Sequence, residues 1–109
     1  MQVLQIINQV GPLPLKAQFN SPVDGPGLLV ITGSVWSQSA NVMLQVNVQL
    51  DGTQIGTAQI WSNGAATHRA FSPLFLNVKL TVGQHIVTLV PGGNVVSDLN
   101  DTFAVGLIY

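Results

Sequence analysis

The stretch that decides the fold is Val42–Leu50, VMLQVNVQL, which is followed at once by Asp51 and Gly52. Every second position of this stretch is aliphatic, and most of the positions between are amides. Successive side chains of a β-strand point to opposite faces of a sheet, so the alternation predicts a strand with one buried face and one amide-covered face. Because Asp and Gly both tolerate a positive φ, the pair predicts a hairpin turn into a return strand at 54–61.

The rest of the chain repeats this pattern of short apolar runs broken by turn residues. Further strands are predicted at 3–7, 28–36, 68–80, 85–90 and 102–109, with turns or loops at 11–14, 21–27, 37–41, 62–64 and 91–101. Strands spaced by about 8–12 residues, with almost no helical pattern, are typical of a sandwich. We therefore predict an all-β fold, an antiparallel β-sandwich with jelly-roll topology. No linker or repeat interrupts it, so residues 1–109 are expected to form one domain.

Charge is scarce in this sequence. Three basic and four acidic residues make up 6% of the chain and leave a net charge of −1, whereas an average soluble domain is roughly 25% charged. Three basic residues cannot neutralise a run of phosphates, so nucleic acid is not an expected partner. Too few acids, bases and nucleophiles are present for an ordinary hydrolase or transferase, so we expect a protein that is not an enzyme. There is no cysteine for a disulfide.

The C-terminal segment 102–109 is apolar or small on both faces. The alternating sets are Phe103, Val105, Leu107 and Tyr109 on one face, and Ala104, Gly106 and Ile108 on the other. A strand of an antiparallel sandwich commonly has the core on one side and water on the other, so a partner subunit is expected to cover the second side. We predict a homotrimer whose interface includes the set Phe103, Val105, Leu107 and Tyr109.

Several short motifs carry a family resemblance that covers residues 27–109. They are GLLVITGS at 27–34, LDG at 50–52 with Ile55-Gly56, HRA at 68–70, VGQHIVTL at 82–89, and Asp98-x-Asn100-Asp101-x-Phe103. These motifs resemble small jelly-roll domains of bacteriophage tail and bacterial proteins. The ending TFAVGLIY resembles the last strand of the complement/tumour-necrosis-factor superfamily. The resemblance implies a jelly roll that assembles as a trimer around its last strand. It also implies binding of receptors, other proteins or sugars through loops and grooves between subunits.

The acidic loop near the C-terminus is the candidate metal site. Asp98, Asn100 and Asp101 could supply oxygen ligands to Ca²⁺, which takes about six to eight of them. The alternative, which we favour, is that Asp98 and Asn100 bond to the backbone of the turn while Asp101 pairs with Arg69. In that case no cofactor is expected.

Two tryptophans point to a ligand site of another kind. Trp36 and Trp61 each end a predicted strand beside a polar turn, where a ring could stack on a sugar while amides bond its hydroxyls. The alternative is that each ring caps the core or an interface between subunits. His68 and Arg69 could hold an anionic ligand. The candidate ligand-binding residues are therefore Trp36, Trp61, Asn63, His68 and Arg69.

The sequence as a whole predicts a non-catalytic, trimeric structural or adhesive module of a phage virion or tail, or of another extracellular assembly. One alternative is a lectin-like protein that binds a cell-surface glycan through its tryptophans and amide-rich loops. The other is a cytokine-like module that binds a protein receptor. The N-terminal residues lack the pattern of a secretory signal, and no apolar run is long enough for a membrane span, so we expect synthesis in the cytoplasm without membrane insertion.

Overall fold

The chain forms ten β-strands and no helix. The computed structural model describes all of residues 1–109. In chain order the strands are β1 (Val3–Val10), β2 (Leu15–Ser21), β3 (Gly25–Ser37), β4 (Val42–Leu50), β5 (Thr53–Ser62), β6 (Arg69–Ala70), β7 (Leu74–Leu80), β8 (Gly83–Gly92), β9 (Val95–Val96) and β10 (Thr102–Ile108). None of the structure is a helix with the length and hydrophobicity that a membrane crossing requires.

The strands make two antiparallel sheets. The larger sheet is built around the long strand β3, which pairs with β10 on one side and with β7 on the other, while β1 pairs with the far side of β10. The short strands β6 and β9 pair with the last residues of β3. The smaller sheet has the order β2-β8-β4-β5. The prediction of an all-β antiparallel sandwich is confirmed.

The hairpin that the sequence marks most clearly forms as predicted. β4 pairs with β5 along its whole length, and Asp51 and Gly52 take φ angles of 52° and 84° in the turn. Leu44, Val46 and Val48 are completely buried, and the amides between them lie on the outer face. The period-two pattern therefore reports the two faces of this strand correctly.

The hydrophobic core lies between the sheets. Its most deeply buried side chains are Leu29, Ile31 and Val35 of β3, Leu44, Val46 and Val48 of β4, Val87 and Leu89 of β8, and Phe103, Val105 and Leu107 of β10. Gly33 makes room for two aromatic rings, since a Cβ there would lie 2.4 Å from Cδ1 of Phe103 and 2.9 Å from Cζ of Phe71. A larger residue at position 33 would overpack the core.

Three predicted segments differ from the structure. The strand predicted at 68–80 is divided into β6 and β7, because Pro73 has no backbone N–H to give to β3. β2 was not predicted, although its alternation of Leu15, Ala17 and Phe19 faces the core. The loop predicted at 91–101 contains the end of β8 and the short strand β9.

The predicted trimer interface also needs correction. β10 lies in the middle of the larger sheet, between β1 and β3, so one of its faces is turned into the core of the same chain. Phe103, Val105 and Leu107 are almost completely buried there and are not accessible to a partner. Tyr109 lies beyond the strand and is half-buried, and its backbone bonds to Gln2. The trimer itself stays a prediction.

Candidate binding site

A polar cleft opens at one end of the sandwich, between two turns. It has a volume of about 460 Å³, and we call it the loop-end cleft; its lining residues are Ser37, Gln38, Ser39, Gly93, Asn94, Val95 and Val96. The pairing of Ser37 with Val95 fastens the β8–β9 turn beside the end of β3. Gly93 takes a positive φ of 58°, which permits the tight turn that presents Asn94.

An apolar surface borders this cleft. A second hollow of about 200 Å³ shares Ser37, Asn94 and Val95 with the cleft, and Met43 forms part of its other wall. Met43 pairs across the strands with Trp61, which is 48% exposed. The indole Nε1–H of Trp61 donates to Asn63 Oδ1 at 2.7 Å, so the ring is held in place by a neighbouring amide. An exposed aromatic ring, a thioether and a polar cleft therefore follow one another on the surface.

No charged side chain lines either hollow. The polar groups are hydroxyls and amides, and both kinds can donate as well as accept hydrogen bonds. Such groups match a neutral ligand with many hydroxyls, and they offer neither a general acid nor a general base. The arrangement is therefore suited to hydrogen bonding with such a ligand.

A buried carboxylate organises the neighbouring loop. Asp101 is 0% exposed and ties the loop to the outer side of β3, because Ser34 Oγ donates to its Oδ1 at 2.7 Å. The backbone N–H of Asp98 donates to Asp101 Oδ2 at 2.9 Å. His68 Nδ1 donates to Asp101 Oδ1 at 2.7 Å, and the ring of His68 lies 5.6 Å from that of Trp36, centroid to centroid.

The ion pair expected for Arg69 is not formed, and the side chain that bonds to Asp101 is that of His68. The hydrogen bond to Asp101 raises the pKa of His68 above its ordinary value of 6.5, against an opposing effect of desolvation. The charges of Asp101 and Asp98 act in the same direction as the hydrogen bond. His68 was weighed as an anion-binding residue, whereas the structure engages it in holding the acidic loop.

Two of the three predicted metal ligands, Asp98 and Asp101, lie close together, and His68 lies beside them. Ligand atoms of His68, Asp98 and Asp101 are within 4.8 Å of one another. Asn100 instead donates its backbone N–H to Asp98 Oδ1 at 2.8 Å, as in the turn-bonded alternative. Both oxygens of Asp101 already accept hydrogen bonds from protein groups, so an ion would have to replace bonds that hold the loop.

A second histidine–aspartate pair lies at the hairpin turn. His85 Nδ1 donates to Asp51 Oδ2 at 2.6 Å, and His85 Nε2 lies 2.7 Å from the carbonyl oxygen of Thr81. Both ring nitrogens face acceptors, so the geometry satisfies a doubly protonated, cationic ring. The hydrogen bond to Asp51 raises the pKa of His85, and the bond to Thr81 adds to this. For Asp51 desolvation acts to raise the pKa, but bonds from His85 and the Ile86 N–H outweigh it and the pKa is lowered.

The five predicted ligand-binding residues fall into two groups. Trp61 and Asn63 are bonded to each other on the smaller sheet, while Trp36 and His68 are in contact on the larger one, with Arg69 next in the chain. Sequence reasoning named the polar turn at 37–39, which contains Gln38 and Ser39, as a place where amides and hydroxyls beside Trp36 could bond a sugar, but it did not single out Asn94 or Met43. Asn94 lies in the loop predicted at 91–101, and nothing local shows that this loop faces the turn at 37–39.

Comparison with known proteins adds the class of fold. No protein-family model matches the sequence, and no curated protein sequence matches it. Among solved structures, the C-terminal domain of EclA, described as a sugar-binding protein, superposes with a TM-score of 0.51 and 20% identity, covering 95% of this chain and 73% of that one. A family 35 carbohydrate binding module from Clostridium thermocellum superposes with a TM-score of 0.51 and 8% identity, covering 97% and 89%.

A third similar structure is a much longer enzyme. It is a cycloisomaltooligosaccharide glucanotransferase from Paenibacillus sp., which superposes with a TM-score of 0.50 and 16% identity. The superposition covers 87% of this chain but only 13% of that protein. At these identities the likeness concerns the fold alone. The chain has the jelly-roll β-sandwich architecture that is found in carbohydrate-binding modules, and membership of the tumour-necrosis-factor superfamily is not established.

Proposed function

We propose that this protein is a non-catalytic carbohydrate-binding module that holds a neutral glycan in the loop-end cleft, beside Trp61 and Met43. The observation on which the proposal rests is the uncharged cleft of about 460 Å³, whose polar groups are all hydroxyls, amides and backbone. Its volume lies within the range of about 300–1,000 Å³ that is typical of small-molecule sites.

The chemistry of a sugar accounts for each part of this surface. Sugar hydroxyls both donate and accept hydrogen bonds, and the side chains of Gln38, Ser39 and Asn94 can also do both. The C–H face of a sugar ring is apolar and packs on an indole, and Trp61 presents such a face to solvent. The bond from Trp61 to Asn63 fixes the ring before a ligand arrives, which lowers the entropic cost of binding.

A hydrolytic role is disfavoured by the positions of the acids. Glycosidases commonly act with two carboxyl groups that flank the bond to be broken. No aspartate lines the cleft, while Asp51 and Asp101 are engaged with histidines elsewhere. The similarity in fold to carbohydrate-binding modules supports the same proposal, and a glycan-binding role is consistent with a place outside the cell or on a virion.

The test is a glycan array followed by calorimetry on the best neutral glycan. We expect Trp61→Ala to weaken binding about tenfold or more, which corresponds to about 1.4 kcal/mol. The matched control is Val82→Ala, because Val82 is an exposed apolar residue of the β7–β8 turn and lines neither the cleft nor the apolar hollow of the larger sheet. Absence of binding to any neutral glycan, or equal losses for the two variants, would contradict the proposal.

A second candidate function, that of a structural module acting through assembly, is favoured by a different observation. The outer face of the larger sheet contains an apolar hollow lined mainly by hydrophobic residues of β1, β3 and β10. The two candidates use opposite faces of the sandwich and are therefore compatible.

A further inference from the structure

The outer face of the larger sheet is apolar where three strands meet. A hollow of about 310 Å³ lies there, and the side chains of Val3, Val30, Ala104 and Ile108 border it. Gly106 has no side chain and forms part of its floor. None of the residues that line the hollow is charged. An uncharged apolar depression on the surface of a small protein is typical of an interaction site.

An exposed aromatic ring lies beside this hollow. Phe75 of β7 is 60% exposed and pairs with Val30 of β3, which pairs on its other side with Gly106 of β10. Directly paired residues lie on the same face of a sheet. One row across the sheet therefore contains a projecting ring at Phe75, a central Val30, and a depression at Gly106.

We propose that a second copy of this chain covers this face, related to the first by a two-fold axis near Val30. In this arrangement Phe75 of each copy enters the hollow above Gly106 of the other. Two-fold contacts bring the same patch of both subunits together, so a projection and a depression at equal distances from the axis complement each other. Phe75 and Gly106 meet this condition, because each is one strand away from Val30.

The size and charge of the face fit a pair of copies. Four strands about 4.8 Å apart and about 25 Å long give a flat footprint of about 480 Å² per copy. A pair would bury about 960 Å², without the added area of projecting side chains, which is just below the roughly 1,000 Å² that a specific interface needs. One opposing copy covers the whole row from Phe75 to Gly106, whereas around a three-fold axis the face would have to be shared between two neighbours. Lys79 of β7 also lies on this face, two same-face positions along the strand from Phe75, and the net charge of −1 gives little overall repulsion between copies.

Sedimentation of the purified chain tests the proposal. We expect the wild type to approach twice the monomer mass by about 100 µM, and Phe75→Glu to weaken association at least about tenfold. Trp61→Glu is the matched control, since it places the same charge at an exposed aromatic position of the opposite sheet, and it should leave the mass unchanged. Circular dichroism of both variants confirms that they are folded.

Cross-linking locates the axis. The chain has no cysteine, so Val30→Cys and Gln59→Cys each introduce a single thiol, near the proposed axis and on the opposite face. Packed sheets lie about 10 Å apart, and a bis-maleimide with a spacer of that length should link Val30→Cys into dimers and leave Gln59→Cys monomeric. A wild-type mass that stays monomeric, a trimer mass, or equal effects of the two glutamate variants would each overturn the proposal. None of these outcomes bears on glycan binding, which uses the other end and face of the molecule.

Discussion

The two histidine–aspartate pairs of this protein have the same bond and opposite burial. In the pair at the hairpin turn, the histidine is the hidden member: the side chain of His85 is 10% exposed and that of Asp51 is 48% exposed. In the pair at the C-terminal loop, the aspartate is hidden: the side chain of Asp101 is 0% exposed and that of His68 is 36% exposed. The distances between the bonded atoms are 2.6 Å and 2.7 Å.

The difference shows which member of a pair is structural. The buried member in each case also bonds to groups other than its partner: His85 to the carbonyl of Thr81, and Asp101 to Ser34 and the backbone of Asp98. The exposed Asp51 accepts one further bond, from the N–H of Ile86, which an asparagine oxygen can also accept. Substituting the hidden member removes several of these bonds at once, at positions where water does not readily replace the lost partner. The stability of each pair should therefore depend mainly on its hidden member, and the two pairs should respond to substitution in opposite ways.

The largest effect is expected at Asp101. Asp101→Asn places an amide NH₂ against an N–H or O–H donor inside the structure, and we expect a loss of about 3 kcal/mol in the free energy of unfolding. Asp51→Asn keeps a residue that tolerates the positive φ of the turn and lets the amide reach water, so about 1 kcal/mol is expected. Urea unfolding of both variants is the measurement. Equal losses would show that burial does not decide the outcome.

Much of the fold could be predicted from local patterns. Val42–Leu50 and the Asp51-Gly52 turn are encoded by alternation and by φ preference, and both form as expected. β10 shows the limit of such reasoning. Its two faces are both apolar, and alternation cannot say which of them meets the core, because that depends on pairing with β1 and β3.

The site was predictable only in its parts. Asp101 was recognised as a structural acid, but its partner was taken to be Arg69 instead of His68. The register of β6 decides this point: Arg69 pairs with Val35 in the sheet, which leaves His68 just outside the strand, where the acidic loop crosses. The loop-end cleft is likewise made by turns about 55 residues apart, and only the strand order brings them together.

The next largest loss of stability is expected at His85, the buried member of the other pair. His85→Ala removes the donor to Asp51 and the ring that stacks on Phe19 at 5.6 Å, leaving a cavity, so we expect a loss of about 2 kcal/mol. His68→Ala should cost less, because its ring is partly in water and Asp101 keeps its bonds to Ser34 and Asp98. Thermal unfolding of both variants at pH 6 ranks them. A larger loss for His68→Ala would contradict the rule drawn from burial.

The smallest effect is the dependence of stability on pH. Because the pKa of both histidines is raised on folding, their contribution is complete below about 6.5 and is lost as the pH rises through the raised values. Asp51 has a lowered pKa, so its contribution is complete above 3.8 and is lost as the pH falls through the lowered value. The unfolding free energy should therefore be greatest between about pH 4 and 6.5 and should decline on the alkaline side.

Salt concentration should distinguish the contributions of the two histidines to this loss of stability with rising pH. The partly exposed His68 interacts through water, so its share of the pH dependence should shrink at high ionic strength, whereas the share of the buried His85 should persist. We therefore expect His85→Gln to remove the salt-resistant part of the decline between pH 6 and 8, and His68→Gln to remove the salt-sensitive part. Denaturation midpoints at low and high NaCl measure both. If His68→Gln abolished the salt-resistant part, the interaction of the exposed histidine would be the one that salt does not screen. That result would contradict the assignment of the salt-resistant part to the buried His85.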